Sequence, residues 1–156
     1  MTSFTRQQVE AAQALWAQGV LEIGQLYRSG GDYRKRAQDH LDQRYAFNSS
    51  TVLFKPTMAA VQPFRNTEKA ALSYFVAGDE TFAEDNGFAL NPWGKVDFDN
   101  SGIHVSADTA LAMGHYTFTT LEGEETKVEY SFAYIKDEKG DVRIVLHHSS
   151  LPCRRD

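Results

Sequence analysis

The last strand-like run of the sequence ends in four residues whose side chains can exchange protons. In "VRIVLHHSSLP", His147, His148, Ser149 and Ser150 directly follow a series of aliphatic residues. An imidazole has an ordinary pKa of about 6.5 and can take up a proton near neutral pH, and a hydroxyl can donate or accept a hydrogen bond. A strand this apolar is expected to be buried, so its polar end needs hydrogen-bonding partners or a cavity. These four residues are therefore the first candidates for catalysis.

Alternation along the strand divides the four residues into two pairs. Successive side chains of a strand point to opposite faces, so His148 shares a face with Ser150, and His147 shares the other face with Ser149. His147 and Ser149 lie on the face that contains Arg143. The other pair continues a wholly apolar series, formed by Val142, Ile144 and Leu146. The pattern favours His148 and Ser150 as the cavity residues, and a β-bulge would reverse this assignment.

The sequence offers little other chemical machinery. It contains no phosphate-binding glycine loop, no dinucleotide fingerprint, no HExxH and no GxSxG. A zinc site needs three protein ligands, and although His115 could lie near His148 across a sheet, no spacing requires it. The single cysteine, Cys153, excludes an intramolecular disulfide and a cysteine-rich metal site. The simplest alternative is that both adjacent histidines are structural residues held by hydrogen bonds.

Length and composition fit one globular domain over residues 1–156. Hydrophobic residues make up 42% of the chain and charged residues 24%, which is ordinary for such a domain. The net charge of -5 argues against a nucleic-acid surface. The N-terminal "MTSFTRQQVE" lacks the apolar segment of a signal peptide, and no stretch is long enough to span a membrane. We therefore expect a cytoplasmic protein without nucleic-acid or membrane partners.

Helical periodicity dominates residues 1–47. Thr5 and Gln8 have the spacing of a capping box, and apolar residues then recur at steps of three and four. The run "SGGD" ends this helix, and Asp32 is placed to cap a second helix whose apolar stripe ends at Tyr45. A third helix is expected over residues 67–76.

The remaining sequence is typical of strands separated by turns. "TVLFKP" is a short strand that stops at Pro56, and "WGKVDFDN" and "SGIHVS" are expected to be two strands joined by a turn. "ALAMGHYTFTT", "KVEYSFAYIK" and "VRIVLHHSS" then form an antiparallel meander. The loop "GDETFAEDNGFALNP" is either a lid or an acidic surface loop. The predicted fold is α+β, with N-terminal helices packed in a curved antiparallel sheet, a pocket between them, and a homodimer formed through the outer sheet face.

Five segments, in order and without large gaps, carry a family resemblance: "VLFKPTMAA", "ALSYFVAGDETFAEDNGFALNPWGKV", "ALAMGHYTF", "TKVEYSFAYIKDEKG" and "RIVLHHSSLP". They cover residues 50–152 and resemble the iota class of carbonic anhydrases. This class is related to the association domain of calcium/calmodulin-dependent protein kinase II and to the wider NTF2-like fold. The resemblance implies an NTF2-like cone that hydrates carbon dioxide reversibly to bicarbonate. It favours a site without a metal or other cofactor, with zinc or manganese as the alternative.

The resemblance also implies roles for particular residues. In metal-free members a threonine, a tyrosine and a serine bind bicarbonate near a histidine. "FKPT" supplies Thr57, "LSYF" supplies Tyr74, and "HHSS" supplies the serine and the histidine. The implied catalytic residues are Thr57, Tyr74, His148 and Ser150, with His147 and Ser149 as the reserve pair. The histidine would act as a general base towards water, the hydroxyls would stabilise developing charge, and Leu146 and Phe75 would form apolar walls.

Two other functions stay open at this point. The chain could be a non-catalytic association module with a vestigial pocket, which would form a stable oligomer without turnover. It could also be an NTF2-like isomerase or dehydratase acting on a small organic ligand. Such sites often use an Asp–His pair, but Asp97 and Asp99 alternate outward on their strand, and Asp79 and Asp85 lie in a loop.

Overall fold

The protein is described here by a computed structural model that covers residues 3–155. Its helices are α1 (Arg6–Ser29), α2 (Tyr33–Arg44) and α3 (Glu68–Val76). Its strands are β1 (Leu53–Lys55), β2 (Trp93–Val105), β3 (Ala110–Thr120), β4 (Glu125–Lys136) and β5 (Val142–Ser150). The strands form a sheet in the order β1-β5-β4-β3-β2, with the helices packed on one face. The predicted α+β class is confirmed.

Each helix begins at a residue whose side chain satisfies backbone amides of its first turn. Thr5 accepts a hydrogen bond from the Gln8 amide while the Gln8 side chain accepts one from the Thr5 amide, which completes the predicted capping box. Asp32 caps α2 as predicted, and Thr67 caps α3. α1 ends where Gly30 adopts the left-handed conformation. Among residues 3–155, no helix combines the length and apolarity needed to cross a bilayer.

The expected turn between "WGKVDFDN" and "SGIHVS" is wrong, because β2 is one continuous strand with a bulge between Asn100 and Gly102. Gly114 faces this bulge from β3, and a Cβ atom there would lie only 2.1 Å from the carbonyl oxygen of Asp99. A glycine therefore makes room for the irregular backbone. The Asn100 side chain exchanges two hydrogen bonds with Gln13 of α1, at 2.7 and 2.9 Å, which ties the helix to the bulge.

Another bulge lies in β5 and decides which residues face the interior. Tyr134 of β4 pairs with Ile144, and the next residue back, Ala133, pairs with Leu146, so Val145 is the extra residue. As a result Ile144 and His147 both point into the core although they lie three positions apart. The inner face of β5 therefore changes parity before the strand reaches its polar end.

The sheet is not wholly antiparallel. β1 pairs parallel with the C-terminal half of β5, with Leu53 opposite Leu146 and Lys55 opposite His148. This pairing places the segment after β1, including Thr57, next to the end of β5. The short edge strand β1 therefore places the Thr57 hydroxyl next to the His and Ser residues at the end of β5.

Candidate functional site

A small cavity lies between the helices and the inner face of the sheet. Its volume is about 10 Å³, which is about the space that one water molecule needs. Aromatic side chains make up most of its wall, and hydroxyl groups and one imidazole supply the polar part. The lining residues are Trp16, Phe54, Pro56, Thr57, Tyr74, Phe75, Phe88, Tyr116, His147 and Ser149.

His147 is the imidazole of this cavity, and it is buried at 2% exposure. Both ring nitrogens have partners: Nδ1 lies 2.8 Å from the Tyr45 hydroxyl oxygen, and Nε2 lies 3.0 Å from the Tyr116 hydroxyl oxygen. The ring stacks between Phe132 and Phe54, with centroid distances of 4.1 and 4.8 Å. Burial lowers the pKa of His147 well below its ordinary value, and the neighbouring imidazoles of His148 and His40 lower it further. His147 is therefore neutral at pH 7.

A chain of hydroxyl groups connects His147 to the segment after β1. The Tyr116 hydroxyl donates to Ser149 Oγ at 2.6 Å, and Ser149 Oγ lies 2.6 Å from Thr57 Oγ1. Burial raises the pKa of the Tyr116 phenol, so it keeps its proton. Hydrogen bonds in such a dry, aromatic environment are stronger than in water and polarise one another. The chain can therefore carry a proton between the cavity and the imidazole.

Tyr74 adds a fourth hydroxyl from α3. Its oxygen accepts a hydrogen bond from the Met58 backbone amide at 3.2 Å. Burial raises the pKa of Tyr74 to about 12, although the Met58 amide and the Thr57 hydroxyl oppose that shift. Tyr74 is thus a neutral phenol at pH 7 that can donate its proton to a ligand in the cavity.

The preference for His148 and Ser150 as cavity residues is wrong in orientation. The extra residue Val145 reverses the alternation, so His147 and Ser149, exposed by 2% and 1%, face the interior. His148 and Ser150 lie on the outer face of the sheet, where they line a shallow depression. Leu146 lines the same depression and does not form a wall of the cavity. Thr57, Tyr74 and Phe75 do line the cavity, together with the reserve pair.

Tyr116, Tyr45 and Trp16 were not singled out as site residues from the sequence. Tyr116 shares the period-two alternation of β3 with Ala112 and Phe118, which are both buried, so strand parity alone places it on the inner face. Tyr45 and Trp16 belong to the apolar stripes of the helices. Their polar atoms meet in the core, where Trp16 Nε1 donates to the Tyr45 hydroxyl at 3.0 Å. The apolar periodicity of a helix predicts which residues are buried, but it does not reveal a hydrogen bond between two of them.

The loop after α3 is held against this part of the protein by a buried ion pair. Arg65, with a fully buried side chain, contacts both carboxylate oxygens of Asp85 at 2.7 Å. The Glu84 carboxylate accepts hydrogen bonds from three successive backbone amides, at residues 60–62. These contacts anchor the loop, which presents Phe88 to the cavity wall. In residues 3–155, no three His, Cys, Asp or Glu side chains are grouped so that they could hold a metal ion.

Comparisons with known proteins give a consistent family relationship. A family model described as metal-independent carbonic anhydrase matches residues 7–151. A metal-independent carbonic anhydrase from Nostoc sp. (strain PCC 7120 / SAG 25.82 / UTEX 2576) is 39% identical over 153 residues, which cover 96% of this chain and 75% of that protein. The crystal structure of the iota-carbonic anhydrase from a cyanobacterium, complexed with bicarbonate, is similar with a TM-score of 0.95 and 38% identity, and the match covers 98% of this chain and 95% of that chain.

More distant structures share the fold alone. A putative calcium/calmodulin dependent protein kinase II association domain from Xanthomonas campestris has a TM-score of 0.66 and 17% identity, over 97% of this chain and 91% of that chain. An NTF2-like superfamily protein from Salmonella enterica subsp. enterica serovar Typhimurium str. LT2 has a TM-score of 0.58 and 15% identity, over 96% and 92% of the two chains. The expected NTF2-like architecture is therefore confirmed.

Proposed function

This chain belongs to the family of metal-independent carbonic anhydrases, and we propose that the cavity beside His147 and Ser149 is where it hydrates carbon dioxide to bicarbonate. The resemblance seen in the sequence is confirmed, and the enzyme class with it. The family is described as metal-independent, which supports catalysis without a cofactor over the zinc or manganese alternative. The chain's own side chains must then supply both the proton acceptor and the charge stabilisation.

The observation that carries this proposal is the unbroken chain from Thr57 through Ser149 and Tyr116 to His147, with successive distances of 2.6, 2.6 and 3.0 Å. Without a metal to acidify water, hydration needs a general base that is unprotonated near neutral pH. Burial keeps His147 neutral, and the hydroxyl chain links it to the cavity. The bicarbonate-bound relative, at 38% identity, supports the same ligand for this cavity.

The reaction then follows from the positions of these groups. A water molecule in the cavity attacks the carbon of carbon dioxide with an oxygen lone pair, and a carbon–oxygen π pair moves onto oxygen. The proton that water loses enters the chain at Thr57, and each hydroxyl passes one proton onward until His147 Nε2 binds one. The products are bicarbonate and an imidazolium, which later releases its proton to solvent. Thr57 and Tyr74 are placed to donate hydrogen bonds to the oxygen that becomes negative.

The cavity walls suit a small neutral substrate. Phe54, Phe75 and Phe88 line the cavity, and no Asp or Glu is among its lining residues. The wall therefore lacks the Asp–His pair that the isomerase and dehydratase alternatives would use. Apolar walls also exclude bulk water, which strengthens every hydrogen bond made to the developing charge.

Adjacent serines of β5 provide a matched test of this proposal. Ser149→Ala should reduce carbon dioxide hydration by about 100-fold or more, because it interrupts the chain and removes a hydroxyl beside the reacting atoms. Ser150→Ala makes the same chemical change one residue away on the outer face and should leave the rate near that of the wild type. Stopped-flow hydration on chelator-treated protein measures both. Equal rates for the two variants would remove this cavity from the reaction.

We further propose that the protein forms a homodimer through the outer face of the sheet. One row across three strands is apolar there, formed by Leu111, Ala133 and Leu146, and Met113 extends it. Leu111 and Met113 are 45% and 60% exposed, which leaves a contiguous apolar patch beside the outward-facing His148. A second copy is the favoured occupant because the row beyond Met113 carries both a histidine and a carboxylate, His115 and Glu129, so the face can complement itself.

The oligomeric state tests this interface directly. Light scattering after size exclusion should give twice the chain mass for the wild type and the single mass for Met113→Lys. Val61→Lys places the same charge at a more exposed site away from the sheet and should stay dimeric. A monomeric wild type, or a Met113→Lys protein that remains dimeric, would contradict the proposed face.

We also propose that the enzyme acts in the cytoplasm. The support is Cys153, a free and exposed thiol, which suits a reducing compartment. Cell fractionation with an antibody against the protein tests this location, and recovery outside the cytoplasmic fraction would contradict it.

A further inference from the structure

The hydrogen-bond chain does not stop at His147 but continues to a group that can only donate. Trp16 Nε1 lies 3.0 Å from the Tyr45 hydroxyl oxygen, which in turn lies 2.8 Å from His147 Nδ1. All three side chains are buried, with exposures of 2%, 1% and 2%. An indole nitrogen carries one proton and accepts no hydrogen bond, so the direction of the Trp16–Tyr45 bond is fixed.

This fixed end determines where the proton of Tyr45 points. A phenol has a single O–H proton, which lies near the ring plane on one side of the oxygen or the other. The Trp16 N–H occupies one side, so the Tyr45 proton turns to the other side, where it meets His147 Nδ1. An Nδ1 atom that accepts a hydrogen bond carries no proton, and a neutral imidazole must then carry its proton on Nε2.

We infer that Trp16 and Tyr45 are positioning residues that hold His147 as the Nε2–H tautomer and thereby turn every hydroxyl proton of the chain towards the cavity. The inference rests on the proposed function in taking this chain as the one that serves carbon dioxide hydration. With the proton on Nε2, His147 donates to the Tyr116 oxygen. Tyr116 donates to Ser149, Ser149 donates to Thr57, and the Thr57 proton is left for a ligand.

The opposite end of the chain is compatible with this direction. The contact between Tyr116 and Ser149 has the geometry of a bond from the phenol to Ser149 Oγ, at 2.6 Å. With its single proton directed at Ser149, Tyr116 accepts from His147 Nε2, at 3.0 Å. The direction set at Trp16 therefore fits the contacts of the other hydroxyls.

The assignment defines two states of the site. In the resting state, His147 carries its proton on Nε2, and the protons of Tyr116, Ser149 and Thr57 point towards the cavity. The cavity then offers hydroxyl donors, which suit the oxygens of bicarbonate. Uptake of a proton from water needs the reversed direction, in which Tyr116 donates to Nε2 and the imidazole proton lies on Nδ1. That proton then points at the Tyr45 oxygen, and the Trp16 N–H already occupies the other in-plane side of this oxygen. The Tyr45 proton is therefore forced out of the ring plane and has no acceptor. A buried orphan hydroxyl should make the reversed state rarer by roughly 5- to 150-fold.

Proton transfer itself returns the chain to the resting direction. In the reversed state water passes a proton to Thr57, Thr57 to Ser149, Ser149 to Tyr116, and Tyr116 to Nε2. Every hydroxyl has then exchanged one proton for another, and each again donates towards the cavity. The donors that stabilise bicarbonate thus form in the same event that creates its negative charge.

Nitrogen-15 NMR of histidine-labelled protein tests the tautomer in the wild type without any substitution. We expect a pyridine-like shift for His147 Nδ1 and a pyrrole-like, proton-bearing shift for Nε2. Comparison with His147→Gln and with His40→Gln, the other buried histidine, assigns the signals. The reverse pattern at His147 would overturn the inference.

The two tryptophans provide a matched pair for the role of Trp16. Trp16→Phe removes the donor that orients Tyr45, and the ratio of the Nδ1–H to the Nε2–H tautomer should rise by at least about fivefold. Trp93→Phe removes an indole N–H that donates to the Phe88 carbonyl at 2.9 Å, outside the chain, and should leave the tautomer unchanged. If Trp16→Phe does not fold, benzothienylalanine at position 16 keeps the shape of the ring without its N–H.

An unchanged ratio in a folded protein that lacks the Trp16 donor would refute the role of Trp16. Carbon dioxide hydration measured on the same samples separates this inference from the proposed function. An inactive wild type with the Nε2–H tautomer would refute the catalytic proposal alone. An active wild type with the Nδ1–H tautomer would refute the tautomer alone.

Discussion

Tyr116 connects the proposed base, His147, to the hydroxyls of Ser149 and Thr57, so its own hydroxyl is the most informative single group to remove. Tyr116→Phe keeps the ring, which stacks on Trp16 at a centroid distance of 5.6 Å and packs against Phe118 at 4.7 Å. The substitution deletes one oxygen and with it the contacts of 3.0 Å to His147 and 2.6 Å to Ser149. The packing is retained while the hydrogen-bonded connection from His147 to Ser149 and Thr57 is cut.

Both the rate and the stability should change, by amounts that follow from these contacts. Loss of general-base catalysis lowers a rate by about 10²- to 10⁴-fold, so we expect carbon dioxide hydration to fall within that range. The buried His147 Nε2–H is left without an acceptor, which should cost about 1–3 kcal/mol of unfolding free energy. Stopped-flow hydration on chelator-treated protein and urea unfolding measure the two effects on one preparation.

Tyr130→Phe is the matched control, since Tyr130 is a buried phenol whose hydroxyl donates to Asn100 and lies outside the chain. It should lose about 0.5–1.5 kcal/mol of stability, because Asn100 Oδ1 keeps its bond from Gln13, and it should keep its hydration rate. The reasoning is refuted if Tyr116→Phe folds and retains more than about a tenth of the wild-type rate. It is equally refuted if both tyrosine variants lose activity in proportion to their loss of stability.

Two further predictions concern the stability of the fold around the site. Burial lowers the pKa of both His147 and His40, that of His40 from 6.5 to about 3 with Arg36 and Arg44 adding to the shift, so both stay neutral while the unfolded chain binds protons. The stability that these two neutral histidines contribute is fully present above pH 6.5 and is lost as the pH falls towards their folded pKa values. Urea unfolding should therefore show the free energy of unfolding decreasing by about 1.4 kcal/mol per pH unit for each histidine. The slope should be smaller in His40→Gln. Asp85→Asn leaves the buried Arg65 without its bidentate partner and should cost about 3–5 kcal/mol of unfolding free energy. Asp97→Asn breaks the exposed pair with Lys95 and should cost about 1 kcal/mol or less. Equal losses in thermal unfolding would contradict the anchoring role of the Arg65 pair.

The fold could be predicted from the sequence because its signals are local. The capping residues Thr5 and Asp32 start the helices where their spacing indicates, and the alternation of Tyr130, Phe132 and Tyr134 places all three in the core. The parallel pairing of β1 with β5 could not be predicted in this way, because it joins residues about 90 positions apart by backbone hydrogen bonds that carry no side-chain signature.

The site could be predicted in part, and the error has one physical origin. Thr57, Tyr74 and Phe75 lie around the cavity, but the choice between the two His–Ser pairs depends on the parity of β5. The extra residue Val145 shifts that parity, and in the sequence it is one aliphatic residue among several. A bulge is set by how the strand fits its neighbours, so alternation within one strand cannot reveal it.

Burial has two opposing effects at His147, and the hydroxyl chain reconciles them. The aromatic rings that enclose the imidazole lower its pKa, which makes it a weaker base than a solvated histidine. In the proposed mechanism, the same dry surroundings strengthen each hydrogen bond that Thr57 and Tyr74 donate to the bicarbonate oxygens. Proton uptake and donor formation occur together in the chain, so the stabilisation of bicarbonate offsets the weak basicity at the moment when the proton moves. An isolated buried histidine would have only the weaker basicity, and an isolated set of hydroxyls would have no proton acceptor, so the reaction depends on the connection between them.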